Sequence, residues 1–525
     1  MGTAALVYCF RFPRNGAHRV RKNLREIVQA HSECELSPSH SKRSRFLKRD
    51  WMKSLAGVAT LAASIALLLP LCGFSPNPAQ APGIDTIITA APVYEPLAAL
   101  RGAGQNMERF PQGAQLLLVH AGKAEPLVTG FAATADANVS FDAKSVLFAG
   151  KKDAGDPWQI WEVTLADRSV RKLVAGTADA IRPLYLPAGR FVYAQRTGQG
   201  FQLVAAGKDA QALLAPIDAN AGSELLSLSY LPAGAIPADV LLDGRILFEA
   251  NYPLGAGSTP ELFLVYSDGS GVESYRCDHG KARWGGRQLV SGDVVFTHGS
   301  SLARFTSPLA TEVPIEAPRA EYAGAIAETN AGAWLLSERA SPSAHYALKL
   351  WKPGAAALQT LLARSGEDIV EPVLIEPRAR PKRHPSGLHD WSYANLLALD
   401  ARQSRESDLR VTPAAVRLET LDADGHAVVN GTAQVEADGS FFVKSPADKP
   451  IRFALLDRSG AILRKEDGWF WIRRGEQRIC VGCHVGPERA SENRVPAVLL
   501  RTTTPTDLSG EGIAGSMPQR SPGGN

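Results

Sequence analysis

Cys480-Val481-Gly482-Cys483-His484 sets two thiols three positions apart, with an imidazole directly after the second. That order suits one chemistry above others. Each thiol can bond a vinyl group of haem, and the next side chain can reach the iron as its proximal ligand; this is the C-x-x-C-H signature of c-type haem. The spacing predicts one covalent haem c, with Cys480 and Cys483 as thioether donors and His484 as an iron ligand. A structural zinc site would need a second C-x-x-C or an H-x3-5-H, and the sequence has neither. A redox-active dithiol belongs at a strand-to-helix turn of a βαβ unit. This pair follows the β-rich stretch Trp469-Phe470-Trp471-Ile472-Arg473. A chance match is the third competing reading.

The motif leaves the distal side of the iron open. His298, His389 and His426 are the imidazole candidates, each also explicable as a surface or core histidine. Met517 follows the motif, as a methionine ligand would, and would raise the potential. The order of preference is a histidine from the body, then Met517, then an open position. Trp469, Phe470 and Trp471 stand close enough in sequence to form an apolar wall for the haem, or to serve as core residues of a last strand.

Other chemistry-bearing patterns are weak. Gly510-Glu511-Gly512-Ile513-Ala514-Gly515 fits G-x-G-x-x-G, but it lies in a polar tail with no strand before it. Cys277-Asp278-His279 reads as a propeller loop with a buried cysteine rather than a ligand pair. No G-x-S-x-G, H-E-x-x-H or P-loop occurs, so hydrolase and NTPase readings lack support. No catalytic residue is assigned.

The elements that must position the motif begin with an address. Leu55 to Leu71 carries no charge and follows Arg43, Arg45, Lys48, Arg49 and Lys53. A basic flank before an apolar core describes a secretory signal or signal anchor. The run is short for a membrane span, which takes about 20 apolar residues. Cys72-Gly73 at its end makes Cys72 a lipidation candidate, although Leu71 before it departs from the small residue usual there. Met52 is a natural start, so residues 1–51 read as a disordered or spurious extension and 52–74 as signal peptide or anchor. Export, to the periplasm, agrees with C-x-x-C-H, because c-type haem is attached outside the bacterial cytoplasm. Residues 55–72 would supply any membrane tether.

The formal charge of +4 misleads. The first 53 residues hold 12 Lys and Arg against 4 acidic residues, so beyond them 45 basic residues face 49 acidic ones. The exported part is mildly acidic and gives no case for nucleic acid. Of 6 cysteines only Cys277 lies in the body outside the motif, so no structural disulfide is expected there.

Between about Gln112 and Ala363 a short apolar strand recurs before a polar hairpin. Its copies are Gln115–Val119, Gln159–Val163, Gln202–Ala206, Glu261–Val265, Ser301–Phe305 and Ala347–Trp351. A turn and strand precede most copies: Ala143–Phe148, Ala188–Tyr193, Asp243–Phe248 and Ser291–Phe296. The spacing centres near ~45 residues, the size of a four-stranded blade. Stacking such blades around an axis buries their faces, and closing the ring hides the edges. The fold class is therefore all-β: a propeller of about six blades over 85–375, then a Pro-rich linker over 376–410. A small immunoglobulin-like β-sandwich over 411–474 and a haem segment with a flexible tail over 475–525 follow. Asp424-Gly425, Asp438-Gly439 and Ser459-Gly460 mark hairpins in the sandwich. An all-helical cytochrome c fold does not fit, because β structure precedes the motif. The haem is expected at the sandwich edge, alone or also against the propeller.

Two resemblances follow. Phe141-Asp142-Ala143-Lys144 and Leu186-Pro187-Ala188-Gly189 resemble the turns of TolB-like propeller repeats. Residues 411–500 resemble the middle-domain region of the hydrazine synthase alpha subunit. Gly431-Thr432-Ala433, Val435–Val443, Arg452–Asp457, Trp469–Arg473, Gly475–His484 and Asn493-Arg494-Val495-Pro496 carry that likeness. It implies haem attachment at Cys480, Cys483 and His484. It does not imply hydrazine synthesis, because that enzyme has an additional haem domain and this chain has one C-x-x-C-H. The leading expectation is an exported monohaem c-type cytochrome that passes electrons to a partner protein, with the propeller as docking scaffold. The alternatives are a haem enzyme acting on a small nitrogen or oxygen species, and an interaction protein whose haem is structural.

Overall fold

The computed structural model describes residues 83–101, 108–207, 225–253, 257–404, 407–482, 489 and 492–510. The apolar run over 55–71, Cys72, Cys483, His484, Met517 and most of the Gly510–Gly515 stretch lie outside them.

Twenty-four strands build six four-stranded sheets among the described residues. The first sheet holds β1 (Thr86–Ala91), β2 (Gln115–His120) and β3 (Lys123–Pro126). The second holds β4 (Ala133–Val139), β5 (Ser145–Lys151), β6 (Gln159–Thr164) and β7 (Val170–Lys172). The third holds β8 (Ala180–Leu186), β9 (Arg190–Thr197), β10 (Gly200–Ala206) and β11 (Leu225–Ser227). The fourth holds β12 (Ile236–Val240), β13 (Ile246–Tyr252), β14 (Thr259–Val265) and β15 (Glu273–Ser274). The fifth holds β16 (Arg283–Gln288), β17 (Val294–His298), β18 (Ser301–Phe305) and β19 (Val313–Pro314). The sixth holds β20 (Glu321–Glu328), β21 (Trp334–Arg339), β22 (Ala347–Trp351) and β23 (Gln359–Leu362). Strand β24 (Asp368–Leu374) then returns to pair with β1 and completes the first sheet. The first strand of each sheet packs on that of the next, and β24 packs on β4, so the ring closes on itself. Closure removes the terminal sheet edges from solvent. The recurring apolar run is the third strand of every blade, and the turn-and-strand motif is the second.

Apolar side chains meet between neighbouring sheets. Leu116 and Ile87 of the first sheet pack on Val146, Phe148 and Trp161 of the second; Leu289 and Val295 of the fifth pack on Trp334 and Trp351 of the sixth. The innermost strands follow a different rule. Each has a bulge where its register with the second strand slips. Bulges bend the strands where the ring is most crowded. Gly285 shows the crowding, since a Cβ there would sit 2.8 Å from the Gly324 carbonyl carbon. Three bulges instead present charge. Asp136, Arg182 and Glu371, all with positive φ, meet Arg109 at the axis. Arg109 bonds both Asp136 and Glu371, and Arg182 donates to Glu371 at 2.8 Å. Burial raises the Glu371 carboxyl, but Arg109 and Arg182 together outweigh it and hold the group below its ordinary range.

The second body is a sandwich. One sheet, in the order β27 (Ala427–Gln434), β26 (Ala415–Leu421), β29 (Ile451–Leu456), β30 (Ile462–Lys465), is antiparallel. The other runs β31 (Gln477–Cys480), β25 (Ala394–Ala398), β28 (Phe441–Ser445), β32 (Thr506–Asp507), and both of its edge strands pair in parallel. Leu396, Ala398, Val416, Leu418, Phe441, Val443 and Phe453 form the shared core. Two sequence boundaries need correction. The 376–410 stretch is not all linker, because β25 within it is an interior strand of the sandwich. The domain also runs past 474, because β31 and β32 come from the segment assigned to haem binding and tail. Nor is the Pro-rich stretch a free spacer. Arg378 N–H donates to Phe141 O at 3.0 Å, and Lys382 N–H to Leu242 O at 3.0 Å, so the chain is pinned along the propeller.

Candidate haem-attachment site

Cys480 ends β31, the edge strand of the mixed sheet, in register with Ala398. The Leu399 amide donates to Cys480 O at 2.9 Å and the Asp400 amide to Val481 O at 3.1 Å, so pairing continues into the motif. The thiol packs on the open side of the sandwich core with Phe470. Burial raises its pKa, opposed by the neighbouring Arg478 guanidinium. The thiol is half-buried.

The stretch leading into β31 is welded to the propeller. Trp471 is fully buried in the core between the third and fourth blades, and its indole N–H donates to Gly269 O at 3.0 Å. Arg473, also fully buried, donates from Nε to Asp268 O at 3.1 Å and from Nη1 to Asp448 at 2.6 Å and to Tyr230. Glu476 accepts from the Gly271 amide at 3.2 Å and from the Arg473 amide at 2.9 Å. Arg478 donates to Val272 O. Four side chains of this stretch therefore grip the Asp268–Val272 turn, which joins β14 to β15. Gly475 packs against the stretch before β25: it has φ +74, and a Cβ there would lie 1.8 Å from His389 O.

Of the expected aromatic wall, Phe470 alone stands at Cys480. Trp469 lies under the Arg452 guanidinium, 4.4 Å from its ring centroid, and Trp471 is committed to the propeller. These three residues do not form a last strand; Phe470 makes an isolated bridge to Ile451. Cys277 is half-buried rather than buried. Its neighbour Asp278 forks onto Arg283 at 2.8 and 2.9 Å, and His279 stacks 3.9 Å from Tyr252.

The three histidine candidates lie in different places. His298 ends β17 and bonds Glu312. His426 is exposed in the β26–β27 turn beside Asp422 and Asp424. His389 is exposed, stacks on Trp391 at 4.3 Å, and has Nε2 3.3 Å from the Gln477 amide nitrogen. Gln477 opens β31, three residues before Cys480, a span of ~10 Å along a strand. Among the described candidates, His389 is the one packed on the strand that carries the motif.

Residues after the motif also dock on the sandwich. Asp438 accepts from Ser440 at 2.6 Å and from the Ala497 amide at 2.7 Å, and pairs with Arg494. This seats helix α1 (Ala497–Arg501). Burial would raise the Asp438 carboxyl, but Ser440, the Ala497 amide and Arg494 pull it down to about 2. A depressed carboxylate contributes stability that is present above its unfolded pKa and is lost as pH falls through the folded value. Allowing for solvent screening, the seat is worth about 1 kcal/mol at neutral pH. Acid titration from pH 5 to pH 2 should expose the 492–501 segment to proteolysis, and Asp438→Asn should expose it already at pH 7.

The donor set fits haem c: a thiol at an open sandwich edge, followed in sequence by the second thiol and the imidazole. Sequence reasoning missed the Asp268–Val272 turn, Arg473, Glu476 and Arg478. The signal was the run of charge and aromatic residues just before the motif, which on an isolated sandwich edge would have no reason to be buried.

Residues 399–485 match the family model of the hydrazine synthase alpha subunit middle domain. The match runs through Cys480, Cys483 and His484. No curated protein matches the chain. Among solved structures, hydrazine synthase from Kuenenia stuttgartiensis shares the fold, with TM-score 0.68 and 15% identity over 80% of this chain and 72% of that one. TolB from Acinetobacter baumannii aligns at TM-score 0.40 and 10% identity over 55% of this chain and 66% of that one. The chain is thus an all-β protein whose residues 399–485 are similar to the middle domain of the hydrazine synthase alpha subunit.

Proposed function

We propose, from that middle-domain likeness, that this protein is an exported monohaem c-type cytochrome that exchanges electrons with a partner protein. The observation that carries the reading is the intact C-x-x-C-H at the end of β31, where the family match ends one residue beyond His484. Cys480 and Cys483 would hold the haem through thioethers, and His484 would ligate the iron. Bound haem supplies a reversible one-electron couple. The chain's own residues supply rigidity. Trp471, Arg473 and Glu476 fix β31 to the propeller, and Asp438 seats the segment after the motif. A rigid mount keeps geometric change on electron transfer small. Phe470 excludes water from one side of Cys480. The propeller closes its own axis with the Arg109–Glu371 cluster, which leaves its outer faces for docking a redox partner.

Export rests on the basic flank and apolar run before Cys72. Among the described residues no helix is long and apolar enough to cross a membrane. Attachment would then be through residues 55–72, as an uncleaved anchor or through lipid on Cys72.

The relationship to an enzyme subunit favours a second reading, a haem oxidoreductase acting on a small nitrogen or oxygen species. Spin state separates the two, because transfer gains from two strong axial ligands and catalysis needs a free iron position. The electron-transfer reading expects low-spin, six-coordinate iron that reduces reversibly and binds carbon monoxide poorly. Rapid carbon monoxide binding by the folded ferrous protein, with turnover of hydroxylamine, nitric oxide or peroxide above that of free haem, would establish the enzyme instead.

A further inference from the structure

Arg478 and Cys480 stand two residues apart on β31 and so share one face of the strand. Their register partners on β25, Leu396 and Ala398, are buried, so this is the face turned to the sandwich core. A guanidinium cannot stay charged in that core without partners. Arg478 instead turns to the propeller. It donates to Val272 O, lies 3.5 Å from Trp471 O, sits 5.5 Å from the Phe470 ring centroid and 3.9 Å from Glu476. Phe470, which it covers, packs on the same core as Cys480. Strand register, an aromatic face and a propeller carbonyl thus fix one cation on the strand face that carries Cys480.

The acids around it are largely committed elsewhere. Glu476 accepts from the Gly271 and Arg473 amides, and burial raises its carboxyl. The charge that strand geometry sets two residues from the attachment sulfur, on the same face, is therefore positive.

Resting on haem attachment at Cys480, we propose that Arg478 is a positioning residue that tunes the haem: its fixed charge favours the ferrous over the ferric state, and the propeller holds it in place through Val272. Oxidised haem carries one more positive charge than reduced haem, so a neighbouring cation disfavours oxidation, and more strongly at a half-buried site than in water. Charge and hydrogen bonding around the group are the levers by which a protein sets its potential. This gives the propeller a role in the redox chemistry as well as in docking.

The test is an anaerobic redox titration of the holoprotein, with dithionite as reductant and ferricyanide as oxidant, on wild type, Arg478→Gln and Arg478→Lys. The Gln variant should keep its covalent haem and shift to a lower midpoint potential, and the Lys variant should recover most of that shift. Should Arg478→Gln not fold, Arg478→Met keeps the apolar stem over Phe470, drops the charge, and should give the same fall. Equal midpoints in haem-loaded wild type and charge-free variant would overturn the proposal. So would a fall that Lys does not reverse, which would trace the effect to packing. A wild type that carries no covalent haem would overturn the attachment reading itself, and this inference with it.

Discussion

Replacing Cys480 and Cys483 together with alanine is expected to abolish haem staining of the protein on a denaturing gel, while wild type gives one stained band. The effect should be total, because thioether bonds survive denaturation and axial ligation does not. Cys480 sits in register with Ala398 at a half-exposed sheet edge. Its loss to alanine therefore removes a reactive group without opening a large cavity, and the apoprotein should still fold. Cys277→Ser should stain like wild type, since Cys277 follows the fourth blade beside the Arg283–Asp278 pair and away from the motif in sequence. A stained double variant would refute attachment through these thiols.

Arg473→Ala should give the largest loss of stability. Arg473 is 2% exposed and pairs with Asp448 while bonding the Asp268 carbonyl and Tyr230. Truncation strands these partners and opens a cavity between the two bodies. Breaking a buried pair by removing one partner costs about 3–5 kcal/mol. Lysine should not rescue it, because one ammonium cannot reproduce the planar fork that serves a carboxylate and a carbonyl together. Urea unfolding followed by tryptophan fluorescence should show a lower midpoint, with the emission of Trp471 changing first. An unchanged midpoint would mean that the contact between sandwich and propeller is not held by this residue.

The repeating parts of the fold were the easiest to read from the sequence. Strands such as β6, β14 and β22 carry apolar runs at blade spacing, because each must be covered on two faces by its neighbours. The innermost strands were harder. Asp136, Arg182 and Glu371 interrupt them with charge, and only the closed ring brings those charges together with Arg109. Strand β24 pairs with β1 from nearly the other end of the propeller, a contact no local pattern encodes. Strand β25 was hidden for another reason. Ala394-Asn395-Leu396-Leu397-Ala398 has little β-branched character and follows a proline-rich stretch, and it is a strand because β28 and β31 pair with it on both sides. At the site, the motif announced Cys480 from spacing alone. Its surroundings did not follow from spacing, since the Asp268–Val272 turn lies some 200 residues earlier in the chain.

Covalent attachment of one haem to this chain is read from the mass of the intact protein. The full chain, made in a host with haem-ligation machinery, is denatured and extracted with acidified organic solvent to remove all non-covalent haem. Its mass should then exceed that of the processed polypeptide by one haem. A mass equal to the bare polypeptide, with haem recovered in the extract or absent altogether, would rule out covalent attachment.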